Sequence, residues 1–141
     1  MKWTTRENAR VDRVACPWLV RKFIDPQAEF LFVPRDQVLG TAKREGGRSF
    51  DADGADYGHR GGKCTFEVLV EDYALADQAL KRLALIVHGA DVPEDVTCAP
   101  ESAGLRALSE GMALCCPDDH AKLERLFPVY DALYAYCQKQ A

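Results

Sequence analysis

DGADYGHRGGKCTFE, residues 53–67, separates a short candidate strand at 48–51 from a candidate helix at 64–73. The segment contains four glycines, three acidic residues, one histidine and one cysteine. Glycine lets the backbone adopt positive φ or approach a ligand closely, at a cost in conformational entropy. A loop that combines so many glycines with so many ligand-binding side chains is more typical of a functional site than of a simple connection. A polar surface loop is the alternative interpretation.

The length and composition of the chain predict one soluble globular domain over residues 1–141. The chain has 141 residues, of which 48% are hydrophobic and 28% charged, which suffices for a single hydrophobic core. It carries 18 Lys and Arg against 22 Asp and Glu, a net charge of −4. A nucleic-acid-binding domain usually presents a basic face, so nucleic acid is not an expected partner of this domain alone.

The sequence lacks three features: a membrane-spanning run, a signal peptide and a C-x-x-C pair. No apolar run approaches the roughly 20 residues that span a bilayer, so we expect no membrane association. The first residues, MKWTTREN, lack the apolar core of a signal peptide, which predicts a cytoplasmic protein. The six cysteines include no C-x-x-C pair, which excludes a zinc ribbon or a thioredoxin motif and favours reduced thiols.

The first helix is predicted over residues 11–24, with apolar residues recurring at helical spacing. Asp12 is expected to cap its start, Pro17 follows the first turn, and Asp25-Pro26 ends it. Asp12, Cys16 and Trp18 define the face of interest on this helix. For Cys16, a role as a small buried apolar side chain is favoured over a chemical one.

The remaining pattern predicts an α+β fold, mainly helical with a small β-sheet. Strands are expected at 29–33 and 48–51, with a short helix or turn and an exposed loop between them. Further helices are predicted at 64–73, 76–89, 101–115 and from 117 or 118 to 138. Gly89 is expected to close the second of these, residues 90–100 form a linker, and Pro128 predicts a kink or a break in the last helix.

The segment offers a set of metal-ligand types at its boundary with the helix. His59, Cys64 and Glu67 form the pattern H-x4-C-x2-E, and all three residue types bind transition metals. His88 and Asp91, near the end of the following helix, are further candidates. A divalent transition metal such as Zn, Fe or Mn is therefore a possible cofactor. The alternative for Glu67 is a capping role in the first helical turn, and His120 is interpreted as a surface residue.

Anion capture and thiol chemistry are two other possibilities. Arg60 and the free N–H groups of the helix beginning near Cys64 offer an anion pocket, which Arg13 and Arg21 would complete around a tetrahedral oxyanion. A thiol at a helix N-terminus often has a lowered pKa, which makes Cys64 the candidate catalytic residue of a redox enzyme. A regulatory interaction module, with the first helix pairing to a partner or a second copy, is the third possibility.

Several motifs together resemble a known family. They are WTTR at 3–6, VDRVACPWLVRKFID at 11–25, FLFVP at 30–34, FD at 50–51, HRG at 59–61, CTFE at 64–67 and IVHGAD at 86–91. This set is similar to the chromate-resistance protein family, in the form of the ChrB C-terminal-type domain standing alone. The resemblance covers nearly the whole chain.

The resemblance implies a stress-response role in chromate resistance, as a chromate-responsive regulator or an accessory factor. Longer relatives carry an additional N-terminal region before this domain, so a DNA-binding role is not expected here. The combined expectation is a cytoplasmic domain that binds a divalent metal, an oxyanion such as chromate, or both, at the glycine-rich loop. The alternative is a metal- or thiol-dependent redox enzyme acting on chromate or reactive oxygen species.

Overall fold

A computed structural model describes residues 1–140 and confirms the α+β fold, mainly helical with a small sheet. The strands are β1 (Lys2–Arg6), β2 (Glu29–Val33) and β3 (Arg48–Ser49). The α-helices are α1 (Val11–Leu19), α2 (Val38–Glu45), α3 (Thr65–Asp72), α4 (Gln78–Asp91), α5 (Ser102–Cys115) and α6 (Asp119–Gln140). A π-helical segment, Val20–Ile24, continues α1, and short 3-10 helices lie at Arg35–Gln37 and Pro93–Cys98.

The three strands form a parallel sheet in the order β2-β1-β3. β1 is the central strand, because it pairs with β2, from Lys2 with Glu29 to Arg6 with Val33, and with β3 on its other side. β1 is absent from the sequence prediction because its middle residues, Trp3, Thr4 and Thr5, do not alternate between apolar and polar. All three are buried, as expected for a parallel strand covered on both faces. The hydroxyl of Thr5 donates to the Phe50 carbonyl at 2.6 Å, which satisfies one of the buried polar groups.

α1 lies at the centre of the helical part and packs against α3, α4 and α6. Trp18, Phe66 and Tyr130 are among the largest fully buried side chains of this core. The central position of α1 places Asp12, in its first turn, next to the start of α3 and the end of α4. No helix within residues 1–140 is both long and apolar enough to cross a membrane.

Three helices differ from the predictions for identifiable reasons. Gly89 lies inside α4 and does not end it, and a Cβ there would come 2.3 Å from the Ser102 Oγ. The glycine is therefore needed for the close approach of α5 to α4 and not for a C-cap. α6 continues through Pro128 as one helix, so the predicted break into two pieces is not found. The region 35–47, expected to end in a loop, forms α2, which ends at Gly46 with φ of 69°.

Candidate functional site

Three carboxylates surround one imidazole nitrogen where the glycine-rich loop meets α1, α3 and α4. The Nε2 of His59 lies 3.1 Å from Asp91 Oδ2, 3.3 Å from Asp12 Oδ2 and 3.5 Å from Asp51 Oδ1. Asp12 belongs to α1 and Asp91 ends α4, whereas Asp51 follows β3. We call these four residues the Asp-His cluster. It assembles side chains that are far apart in the sequence.

Asp12 forms the buried floor of the cluster, with 1% of its surface exposed. Its Oδ2 accepts a hydrogen bond from the Thr65 amide at 2.8 Å, and its Oδ1 accepts one from the Phe66 amide at 3.3 Å. Asp12 therefore caps α3, and the prediction that it caps its own helix is wrong: the N-cap of α1 is Arg10. The free N–H groups of a helix N-terminus stabilise a carboxylate. The Cys16 thiol also donates to Asp12 Oδ1, at 3.8 Å.

Asp51 is held on three sides. The Thr65 hydroxyl donates to its Oδ1 at 2.8 Å, and the Arg13 guanidinium donates to its Oδ2 at 3.2 Å. The Asp51 carbonyl accepts from Arg6 Nε at 3.1 Å. Its φ of 50° lies in the left-handed region, which an aspartate tolerates better than most residues. This conformation and these contacts fix the carboxylate beside His59.

The cluster concentrates negative charge in a poorly solvated place. Burial raises the pKa of Asp12 above its usual value. Burial, together with the charges of Asp12 and Asp51, raises the pKa of Asp91 to about 7. Hydrogen bonds to Asp12 and Asp51 raise the pKa of His59 to about 10. Burial would also raise the pKa of Asp51, but hydrogen bonds from His59 and Thr65 outweigh it and leave this pKa below its usual value. The cluster thus favours an added positive charge.

His59 gives the cluster access to solvent, because half of its side chain (51%) is exposed. His59 and Asp51 line a cavity of about 520 Å³ together with Arg6, Arg60 and the loop residues 52–56 and 58. Asp91 lines another cavity, of about 230 Å³. A small ion or ligand can therefore reach a cluster whose floor is buried.

A second group of metal-ligand types lies at the same end of α3. Ligand atoms of Cys64, Glu67 and His88 all fall within 4.8 Å of one another. The Nδ1 of His88 lies 2.5 Å from Glu67 Oε1, and its Nε2 lies 2.7 Å from Asp95 Oδ2. We call Cys64, Glu67 and His88 the Cys-Glu-His cluster. The capping alternative for Glu67 is confirmed as well, since its Oε1 accepts from the Cys64 amide at 2.9 Å.

Comparison with known proteins identifies the family. The family described as ChrB, C-terminal domain matches residues 3–137. The chain belongs to this ChrB C-terminal domain family. Protein ChrB of Cupriavidus metallidurans is 38% identical over 141 residues, which cover 96% of this chain and 40% of that relative. This domain therefore spans about two fifths of the length of the curated relative. No solved structure matches the chain. The resemblance stated from the sequence motifs is confirmed.

The predicted metal ligands of this ChrB-family domain do not form one site. His59 and Asp91 belong to the Asp-His cluster, whereas Cys64, Glu67 and His88 belong to the other. The H-x4-C-x2-E pattern therefore divides between two clusters. Asp51 and Asp95 were not among the sequence candidates. Asp51 is the last residue of the predicted strand at 48–51, and an acidic residue at the end of a parallel strand is a signal that would have found it.

The thiol of Cys64 does not have the reactivity expected from its position. Cys64 is fully buried. Burial, reinforced by the negative charge of Asp12, raises the pKa of its thiol far above the usual value. The expectation of a lowered pKa at the start of α3 is wrong, because desolvation outweighs the effect of the helix N-terminus. As a free thiol, Cys64 is a poor nucleophile.

The three arginines proposed for an oxyanion clamp do not converge on one point. Arg21 donates to the Ala28 carbonyl at 2.9 Å and lies over the rings of Phe30 and Phe127, at 4.9 and 5.6 Å from their centroids. Arg60 forms a two-pronged ion pair with Asp72, at 2.7 and 3.1 Å. Of the three, Arg13 alone reaches the Asp-His cluster, where it neutralises part of the charge of Asp51.

The first-helix face is part of the core of the domain. Cys16 and Trp18 are fully buried, which confirms the apolar interpretation of Cys16. Trp18 packs against Tyr130 and Tyr134 of α6, and its indole donates to Asp131 Oδ1 at 2.9 Å. α6 covers Trp18 on this face. The third hypothesis required the face to be free to pair with a partner or a second copy, and it is not free. His120 is exposed, as predicted.

Proposed function

We propose that this domain binds a divalent transition-metal ion at Asp12, His59 and Asp91, with Asp51 beside the ion. The observation that supports the proposal is the convergence of three carboxylates on His59 Nε2 at 3.1–3.5 Å. An imidazole nitrogen carries at most one proton and can donate it to one acceptor. A divalent cation would interact favourably with all three carboxylates, and neutral His59 would supply a nitrogen ligand.

The ligand types favour some metals over others. Carboxylate oxygens suit hard ions such as Mn²⁺, and imidazole suits Fe²⁺ and Zn²⁺. A set with two or three carboxylates, one imidazole and no thiolate therefore favours Mn²⁺ or Fe²⁺ ahead of Zn²⁺. The contacts around the set support this proposal. Amides of α3 orient Asp12, and Thr65 and Arg13 orient Asp51, as groups surrounding metal ligands commonly do.

The link to chromate is proposed through the metal. The resemblance to the chromate-resistance family suggests a tetrahedral dianion as a ligand. The carboxylates of the Asp-His cluster would repel a dianion, and two of the three candidate arginines are engaged elsewhere. We therefore propose that an oxyanion binds only after a metal ion has neutralised the carboxylates. Its place would be the cavity of about 520 Å³ lined by Arg6 and Arg60. Arg60 would have to exchange its pairing with Asp72 for the anion, and because Asp53 and Asp56 also line this cavity, the metal ion must supply part of the attraction.

Metal binding is tested by titrating metal-free protein with Mn²⁺ and following free Mn²⁺ by electron paramagnetic resonance. The intact protein is expected to bind about one ion, and His59→Ala to lose affinity by roughly 10-fold or more, the range known for disturbed metal sites. His120→Ala is the matched control, since His120 is exposed and belongs to neither cluster; its ring centroid lies 5.2 Å from that of Phe32. Equal affinity in the His59 variant and the intact protein would contradict the proposal.

The role of the metal in oxyanion binding needs a separate experiment. Equilibrium dialysis with radiolabelled chromate should show retention by Mn²⁺-loaded protein and little by metal-free protein. Sulfate, which has a similar shape and charge, should compete. Chromate retention that is equal with and without metal would contradict the proposed order of binding, while leaving the metal site intact.

A cytoplasmic location is also proposed. All six cysteines are free thiols in the structure, including the exposed Cys98 and Cys115. Exposed free thiols are typical of reducing compartments. Fractionation of cells that produce the natural protein, with a thiol-specific label applied before lysis, tests this. Labelling of Cys98 and Cys115 by a membrane-impermeant reagent in intact cells would contradict it.

A further inference from the structure

We infer that Cys64, Glu67 and His88 form a second metal site, separate from the Asp-His cluster, that takes a softer cation of the Zn²⁺ class. Two helices supply the ligands. Cys64 and Glu67 lie at the start of α3, and His88 lies in the last turn of α4. Their ligand atoms lie within 4.8 Å of one another, so small side-chain shifts would bring them to the roughly 3–4 Å spacing set by the about 2.0–2.3 Å bonds of a tetrahedral ion.

The environment of His88 supports a bound cation. Its Nε2 lies 2.7 Å from Asp95 Oδ2 and is placed to donate its proton there. Its Nδ1 then presents a lone pair to Glu67 Oε1 at 2.5 Å, and that oxygen is itself an acceptor. This contact needs either a second ring proton, shared with Glu67, or a metal ion that holds both atoms as ligands, and only the metal ion also uses the nearby sulfur of Cys64. A carboxylate on one ring nitrogen and a metal on the other is the arrangement that metal-binding histidines usually adopt.

Cys64 explains why the second site differs in metal preference from the first. Its sulfur is fully buried and shares the ligand group with Glu67 and His88. A thiolate is a soft ligand, which Zn²⁺ accepts readily and Mn²⁺ does not. A coordinating ion also removes the thiol proton, so the buried neutral thiol of the metal-free protein is no obstacle to ligation. The Asp-His cluster contains no sulfur ligand, so the two sites select different ions.

A tetrahedral ion bound by the Cys-Glu-His cluster would have one coordination position left. Three protein ligands occupy three positions of a tetrahedral ion, and sites of this kind keep the fourth for water or a small ligand. Glu67 lines a cavity of about 470 Å³, together with Lys63 and Lys81, which offers a route to solvent. Asp95 supports the site through His88 and is not needed as a ligand.

Cobalt(II) absorption tests the second site independently of the first. A Co²⁺ ion bound by a thiolate gives a strong near-ultraviolet charge-transfer band, which oxygen and nitrogen ligands do not give. We expect this band in the intact protein and in His59→Ala, and its loss in Cys64→Ser and His88→Gln. Added Zn²⁺ should abolish it at about one equivalent. Circular dichroism of the metal-free variants verifies that both are folded.

The outcomes separate the two proposals. If His88 is only a protonated clamp between Glu67 and Asp95, no charge-transfer band forms in any folded variant, and the inference is overturned. Loss of the band in His59→Ala would also overturn it, since the two sites would then not be separate. Mn²⁺ binding by Cys64→Ser at unchanged affinity is the expected result, and it shows that the Asp-His cluster is intact when the second site is lost.

Discussion

Replacement of Asp12 by alanine should destabilise the metal-free protein by about 2–4 kcal/mol. Asp12 accepts hydrogen bonds from the Thr65 amide at 2.8 Å and the Phe66 amide at 3.3 Å. Both residues are fully buried, so water cannot replace the lost acceptor. Each orphaned amide costs about 1–3 kcal/mol, and the longer bond contributes least. Relief of the repulsion between Asp12 and the neighbouring carboxylates offsets a part of this sum.

Urea denaturation in the presence of a chelator measures the effect, with Asp12→Asn and Asp77→Ala as comparisons. Asp12→Asn keeps one carbonyl oxygen for the Thr65 amide and should cost about 1 kcal/mol or less. Asp77 caps α4, where its Oδ1 accepts from the Ala79 and Leu80 amides, and its Oδ2 accepts from the Tyr134 hydroxyl. It is less buried than Asp12, so its loss should cost about 1–2 kcal/mol. If Asp12→Ala were no more destabilising than Asp77→Ala, the carboxylate would not be the cap of α3.

Three further predictions concern packing and pH. Gly89→Ala should lower the free energy of unfolding, measured in urea, by about 1–3 kcal/mol, because the new Cβ would lie 2.3 Å from Ser102 Oγ. Gly111 has open space around it, so Gly111→Ala should stabilise the protein slightly. Equal effects of the two substitutions would contradict the packing argument. Mn²⁺ affinity should rise from pH 6 to 9 in calorimetry, since the pKa of His59 is raised to about 10 and the ion must displace its proton; a flat profile would contradict this. In metal-free protein, the stabilisation from protonated His59 should be fully present below about pH 6.5 and lost as the pH rises towards 10. The difference in free energy of unfolding between the intact protein and His59→Ala should therefore shrink over this range.

Local patterns account for most of the helical part. The helices predicted at 64–73, at 101–115 and from 117 or 118 to 138 match α3, α5 and α6 closely. In α3 and α6 apolar residues at helical spacing do face the core, whereas Leu105 is the one buried apolar residue of α5. β1 has no such pattern, since Thr4 and Thr5 occupy buried positions of a strand that is covered on both faces. Gly89 is a second case that a local sequence pattern cannot predict. Its role depends on how closely α5 approaches α4, and no local pattern contains that distance.

The site residues were predictable by type but not by grouping. His59 and Asp91 were chosen for their chemistry, and the structure brings them to 3.1 Å. The sequence pattern placed His59 with Glu67, yet the two belong to different clusters. The loop before α3 directs His59 towards Asp12 and Asp91, whereas Glu67, in the first turn of α3, contacts the Cys64 amide and His88. Asp12 was assigned to its own helix, since capping rules describe contacts within a segment, whereas its carboxylate caps a helix that begins 53 residues later.

The first turn of α3 joins the two clusters. The amides of Thr65 and Phe66 hold Asp12 of one cluster, and the Cys64 amide holds Glu67 of the other. A carboxylate oxygen has two lone pairs, so a helix amide and a metal ion can share the same carboxylate. The positive end of the α3 dipole also reduces the cost of placing several carboxylates close together before any ion arrives. The proposed ligands are therefore held in place by a helix cap that exists without metal. This shared helix start is the physical basis for proposing a hard, oxygen-rich site and a softer, thiol-containing site on adjacent residues.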